Sequence, residues 1–313
     1  MSAAVPLAHA DAAITAGSKS FAAAARLFDP ATRRSAVLLY AWCRHCDDVI
    51  DGQVLGHGAL LSRTSAADRL ARLEDLTRRA LAGEPMAEPA FQALQAVATA
   101  HAIPDHLPFD HLAGFRLDVE ERTYRTLDDL LVYCYGVAGV VGLMMAHVMG
   151  VRGGTPEGDD TLHRACDLGL AFQLTNIARD LVEDAAAGRC YLPLAWLEEA
   201  GVPRREVAAT RHRPALARLA ARLVAAAEPY YASAEVGVGR LPYRSAWAVA
   251  TALRVYRQIG TKVVAAGPDA WVGRISTSKA DKLGHVAAGA AMALAARRLK
   301  RRPRDPALWT RPA

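Results

Sequence analysis

The 313-residue chain has few of the signals that mark a β protein. Aromatic residues make up only 6% of it. Alternating apolar and polar stretches bounded by tight-turn dipeptides are missing, and the one Asp-Gly pair, Asp51-Gly52, follows a helical run. Alanine is abundant and glycine and proline are widely spaced, so helix is favoured over strand. There is no paired-cysteine framework either. The five cysteines, Cys43, Cys46, Cys134, Cys166 and Cys190, are odd in number and mostly sit in apolar runs, which suggests reduced thiols in a cytoplasmic protein. Cys43 and Cys46 form a lone C-x-x-C without a second pair, and two thiols on an apolar helix read as core. The first 18 residues contain no Lys or Arg and no long apolar core, so no signal peptide is expected. No G-x-G-x-x-G occurs.

The chain is 52% hydrophobic and 22% charged, the composition of a well-packed globular protein. Its net charge is +6, and much of the excess lies in "AARRLKRRPRDP" near the end. No aromatics are interleaved there, so a nucleic-acid partner is not expected. A solvated tail is the plain reading of this end, and contact with an anionic membrane surface the sharper one. Residues 130–151 carry no acid, Lys or Arg and pass the length test for a membrane span. Four glycines, His147 and two tyrosines interrupt the run, which reads instead as a buried helix of a large bundle, its glycines leaving space beside it. Periodicity predicts helices over 19–28, 31–51, 64–82, 88–101, 109–122, 126–150, 157–187, 211–236, 243–266 and 278–299.

Against that background two helices carry too many acids. In "LLYAWCRHCDDVIDG", Asp47, Asp48 and Asp51 stand among Leu, Tyr, Trp, Val and Ile. Asp47 and Asp51 are spaced i, i+4 and share a face, where like charges repel. Helix stability does not explain this placement. A divalent cation does, since Mg²⁺ takes hard oxygen ligands and accepts phosphate oxygens as further ones. In "AFQLTNIARDLVEDAAAGRCYLP", Asn176, Asp180 and Asp184 fall at i, i+4, i+8, with Gln173 one turn earlier. Two such stripes facing each other suit Mg²⁺, or Mn²⁺ in its place, around a diphosphate. Arg44 and Arg179 stand beside the acids, and "GSKSF" adds Ser18, Lys19 and Ser20 at an expected helix start, where free N–H groups favour phosphate.

"GSKSF", "LYAWCRHCDDVID", "YCYGVAGVVG" and "AFQLTNIARDLVEDAAAGRCYLP", in this order and spacing, resemble the squalene/phytoene synthase family, from about Ala12 to Leu283. The resemblance implies an all-α, single-domain isoprenoid-synthase helical bundle with a central active-site cavity. It places an N-terminal segment at 1–11, the synthase domain at 12–290 and a basic tail at 291–313. It also implies a prenyltransferase that joins two geranylgeranyl diphosphates head to head, through prephytoene diphosphate, to phytoene in carotenoid biosynthesis. The implied metal ligands are Asp47, Asp48, Asp51, Asn176, Asp180 and Asp184. The implied diphosphate contacts are Ser18, Lys19, Ser20, Tyr40, Arg44, Gln173, Arg179, Tyr256 and Arg274, and Tyr133 matches a cavity tyrosine that serves a phosphate or a cation. No NADPH is expected and a role for ATP is left open. A peripheral position at the inner face of the membrane, beside neighbouring carotenoid enzymes, is the implied setting. C30-forming members often have His where this chain has Gly17, which fits a C20 substrate. A C15 user making squalene or dehydrosqualene is the alternative within the family. A non-catalytic assembly factor would have lost acids from one stripe, and a chain-elongating prenyltransferase would repeat D-D-x-x-D where this chain has N-x-x-x-D-x-x-x-D.

Overall fold

A computed structural model describes residues 10, 19–52, 64–299 and 302–312. Among these residues there are twelve α-helices and no strand. They are α1 (Lys19–Ala25), α2 (Pro30–Asp51), α3 (Ala66–Leu81), α4 (Pro89–His101), α5 (His106–Val119), α6 (Leu127–Cys134), α7 (Val140–Val148), α8 (Pro156–Ala186), α9 (Leu194–Glu199), α10 (Arg213–Val238), α11 (Tyr243–Ala266) and α12 (Lys279–Ala296). Short α9 and the 3-10 turns at Arg204–Glu206, Thr210–His212 and Gly267–Trp271 carry too little periodicity to be read in advance.

Local chemistry explains the helices that bear the acids. The Asp29 side chain accepts from the N–H groups of Ala31 (3.1 Å) and Thr32 (3.0 Å), Pro30 opens α2, and Gly52 closes it at φ 64°. Thr155 caps α8, with Pro156 at its first turn. The 31 residues of α8 run through the centre of the bundle and pack against α10, α11 and the α6–α7 segment.

The apolar run expected as one helix is interrupted by a π turn, Tyr135–Gly139, in which the Val140 N–H donates to the Tyr135 carbonyl five residues back. Buried His111 donates from Nδ1 to the Gly136 carbonyl at 2.9 Å, and burial pushes this imidazole down to about 4, so it stays neutral. Leu127–Val148 is long and apolar enough to cross a membrane, but 67% of its most apolar window is buried in the bundle. Its glycines do not leave open space. A Cβ on Gly142 would lie 2.2 Å from the Ala165 carbonyl oxygen, and from the other side one on Gly169 of α8 would lie 2.3 Å from that of Ala138. The glycines let α8 approach backbone to backbone.

The end of the chain differs from a solvated tail. The expected boundary at 290 falls inside α12, because the alanine-rich helix continues to Ala296 before the arginines begin. Residues 302–312 then dock onto the bundle. Arg304 pairs with Asp167 at 2.7 and 2.8 Å, Trp309 lies 5.9 Å from the Tyr135 ring, and Leu308 is buried. Of the expected N-terminal segment only Ala10 is described, and it is buried in the core.

Candidate active site

A cavity of about 320 Å³ lies between α1, α2, the α6–α7 segment, α8, α10 and α11. Its wall is apolar, with Phe21, Phe28, Leu39, Val141, Met145 and Leu168 contributing. One end carries Tyr40, Gln173 and Asn176; Asp47 and Asp51 stand two and three turns beyond Tyr40 on α2, and Asp180 and Asp184 one and two turns beyond Asn176 on α8. Tyr256 stacks on Phe172 (4.2 Å between centroids, 26° between planes), closing the wall beside Arg179.

Arginines hold the acids. Arg44 pairs with Asp47 at 2.9 Å and with buried Asp48 at 3.0 Å. Arg179 forms a two-bonded pair with Asp180 at 2.8 and 2.5 Å, and Arg274 reaches Asp180 at 3.4 Å and Glu183 at 3.5 Å. Arg189 binds both carboxylate oxygens of Asp51. Among the described residues, Asp184 makes no ion pair.

Burial and crowding raise several of these carboxyls. Asp184 is pushed up to about 7, by burial first and then by Asp180. Asp47 is pushed up to about 6 by burial, with Asp51 and Asp48 adding to the shift and Arg44 opposing it; its side chain is 40% exposed at the mouth, but the surrounding protein still strips it of water. Such acids are short of positive charge.

The donor set fits a hard cation. Asn176 Oδ1 is buried without a hydrogen-bond partner while its Nδ2 donates to Gln173 Oε1 at 3.4 Å, so one oxygen ligand on the α8 stripe is uncommitted, with Asp180 and Asp184 on the turns above it. Among the described residues no three acids, histidines or cysteines converge closely enough to hold a metal.

The remaining expected residues are placed as follows. Tyr133 does not line the cavity. Its hydroxyl donates to Asp118 at 3.1 Å, as does that of Tyr191, and the two rings stack at 4.8 Å. Tyr40 lines the cavity, and burial pushes its phenol up to about 12. Lys19 and Ser20 form the first turn of α1, and Ser18 lies outside the described residues. Three further residues join the mouth without having been singled out: Asp118, Arg189 and Tyr191. Burial pushes Asp118 up to about 6 against the pull of Arg189. Arg189 and Tyr191 stand within "GRCYLP", inside a run already marked, but past the helix end, where spacing assigns no direction. Asp118 carried no signal of its own.

A family model described as squalene/phytoene synthase matches residues 14–281. The chain is 59% identical over 297 residues to a 15-cis-phytoene synthase of Enterobacter agglomerans, covering 95% of this chain and 99% of that one. It is 56% identical over 305 residues to a 15-cis-phytoene synthase of Pantoea ananas, covering 97% of each. Among solved structures it is similar to a dehydrosqualene synthase in complex with ligand, with a TM-score of 0.80 and 27% identity over 93% of this chain and 97% of that one. It is also similar to a squalene synthase from Alicyclobacillus acidocaldarius, with a TM-score of 0.68 and 26% identity over 83% of this chain and 92% of that one. The matched region takes in both acid-bearing helices and the cavity between them, and the chain belongs to the squalene/phytoene synthase family.

Proposed function

We propose that this chain is a phytoene synthase that joins two molecules of geranylgeranyl diphosphate head to head. The observation that carries this reading is the pairing of two acid-bearing helices at one end of an apolar cavity. Relatives at 56–59% identity are named 15-cis-phytoene synthases, whereas the dehydrosqualene synthase structure is 27% identical, which favours the C20 substrate over the C15 one.

In the first half of the reaction the C1–O bond of one substrate breaks and its diphosphate leaves. C1 then bonds across the C2–C3 double bond of the second substrate, and loss of a proton closes the cyclopropane of prephytoene diphosphate. In the second half that diphosphate leaves, the cation rearranges, and loss of a proton gives phytoene. Asp47, Asp51, Asn176, Asp180 and Asp184 would hold Mg²⁺, with Asp48 behind them, and the bound metal supplies the positive charge that draws off the diphosphate. Arg44, Arg179, Arg189 and Arg274 stand where the diphosphate oxygens arrive and exchange carboxylate partners for phosphate. The Phe21, Phe172 and Tyr256 rings and the aliphatic wall keep water from the allylic cations. Tyr133, held by Asp118, steadies the Asp51–Arg189 side of the mouth.

The same reading sets the enzyme in the cytoplasm, in peripheral contact with the membrane that takes up its hydrocarbon product. Leu283 and Leu294 on α12 are exposed, and Arg297, Arg298 and Leu299 follow directly. This surface suits an anionic bilayer or a neighbouring carotenoid enzyme that receives phytoene.

The test is product analysis. Purified protein with Mg²⁺ and the C20 diphosphate should give a C40 hydrocarbon by mass, without NADPH. Conversion of the C15 diphosphate alone would replace this reading with the dehydrosqualene one.

A further inference from the structure

The end of the cavity away from the acids includes a buried arginine in its wall. Arg164 lines the cavity twelve residues before Asn176 on the same helix, which puts the two ends ~18 Å apart at the α-helical rise. The Arg164 side chain is 1% exposed. Its aliphatic stem lies against Gly237, where an added Cβ would come within 2.9 Å of Arg164 Cβ, so only glycine leaves the stem its place. Its guanidinium is fully engaged. Nε donates to Asp160 at 2.7 Å, Nη1 to the Ser233 carbonyl at 3.1 Å, and Nη2 to the Arg302 carbonyl at 2.7 Å. Arg240 also pairs with Asp160 and donates to Thr161 Oγ1 at 3.3 Å, and Thr161 lines the cavity too. Beside them Asp167, 1% exposed, accepts from Arg304 and from the Ser233 hydroxyl at 2.5 Å.

None of these groups faces the diphosphate end, so the reaction chemistry does not account for them. Pinning residues 302–312 would account for Asp167 and Arg304, but not for an arginine that also forms cavity wall. A prenyl chain that outgrew the cavity would have to part Arg164 from its partners and leave buried charge unpaired, which strongly disfavours the longer chain.

We propose that Arg164 is the specificity-determining floor of the prenyl cavity, latched by the Arg302 carbonyl, so that the last residues of the chain set the longest prenyl group accepted. This rests on the prenyl-diphosphate reading above.

Two measurements test it. In the wild-type protein, a C20 diphosphate with a photoreactive diazirine at its terminal carbon should label the peptides that carry Thr161, Arg164 or Leu241. In Arg164→Ala, kcat/KM for a C25 diphosphate relative to the C20 one should rise about tenfold or more, the scale on which a pocket discriminates added hydrocarbon. Truncation after Leu299 should shift the ratio in the same direction. Labelling confined to the Tyr40–Asn176 end, or a folded Arg164→Ala with an unchanged ratio, overturns the proposal while leaving the synthase reading in place. Failure of the wild-type protein to condense any prenyl diphosphate overturns the synthase reading instead. If Arg164→Ala does not fold, the wild-type labelling pattern decides.

Discussion

Arg189, three residues beyond the end of α8, donates to both carboxylate oxygens of Asp51, the last residue of α2. The two acid-bearing helices are thus joined across the mouth by one cation. A metal that takes Asp51 as a ligand has to share it with this guanidinium or displace it.

Arg189→Gln should therefore tighten metal binding in the absence of substrate while slowing turnover. Mn²⁺ affinity, read by electron paramagnetic resonance, should rise about fivefold, the scale of a partly exposed ion pair of ~1 kcal/mol. Weaker Mn²⁺ binding in the variant would show that Arg189 helps to organise the ligands and does not compete for them.

Asp47→Ala and Asp180→Ala should each lower kcat by roughly 10³-fold, since losing an oxygen ligand forfeits several kcal/mol of charge stabilisation. Far-UV circular dichroism should stay near wild type. EDTA should stop the reaction, Mg²⁺ should restore it, and Ca²⁺ should do so poorly because its shell is looser. Activity within twofold of wild type in either variant would remove the two-stripe site.

Asp184 links the site to stability. Its folded-state carboxyl is raised to about 7, well above its ordinary value, so near neutral pH the folded protein takes up a proton that the unfolded chain does not. Stability from this group is therefore gained as pH falls through 7 and lost as pH rises through it. Asp184→Asn imitates the neutral form and should raise Tm at pH 8 by roughly 2 °C or more, with a smaller advantage at pH 6.5 and with activity lost. Below pH 6.5 the trend is opposed by buried His111 and His147, both pushed down to about 4 by burial, because the unfolded chain then binds protons that the folded one refuses. A lower Tm for Asp184→Asn at pH 8 would contradict the assignment.

Glycines and their neighbours on the α6–α7 segment should separate packing from substrate fit. Gly142→Ala should mainly lower stability, since its Cβ meets the Ala165 carbonyl, whereas Val141→Phe should fold and lose C20 use more than C15 use. The readouts are Tm and the C20/C15 ratio of kcat/KM. A changed ratio in folded Gly142→Ala, or an unchanged one in folded Val141→Phe, would reverse these roles.

Both acid-bearing helices were legible because their apolar periodicity and their i, i+4 acids pointed the same way. What escaped depended on partners far along the chain. Arg304 reads as a solvated charge until Asp167, 137 residues away, is seen buried beneath it. Arg189 and Asp118 likewise acquire meaning only from the packing that brings the turn after α8 and the end of α5 towards Asp51. Gly139 and Gly142 could be recognised as room-making, but not which neighbour would take the room; for Gly139 it is Cys166, with Sγ 3.0 Å from an added Cβ. The π turn could not be read from Tyr135–Gly139, because its two glycines weaken an α-helix without specifying the wider turn.

That π turn makes the shape of the chamber depend on where a residue is lost. It holds one residue more than the α turn it replaces. Deleting Val137 would let Leu127–Val148 close into an unbroken α-helix with both flanks still in register, because the wide turn is what absorbs the extra residue. Val141 and Met145 would keep their places on the cavity wall, and Gly142 would still meet Ala165. A one-residue deletion within Tyr135–Gly139 should therefore do less harm than the same deletion one turn later, within Val140–Val148, where nothing absorbs it and everything beyond rotates by ~100°.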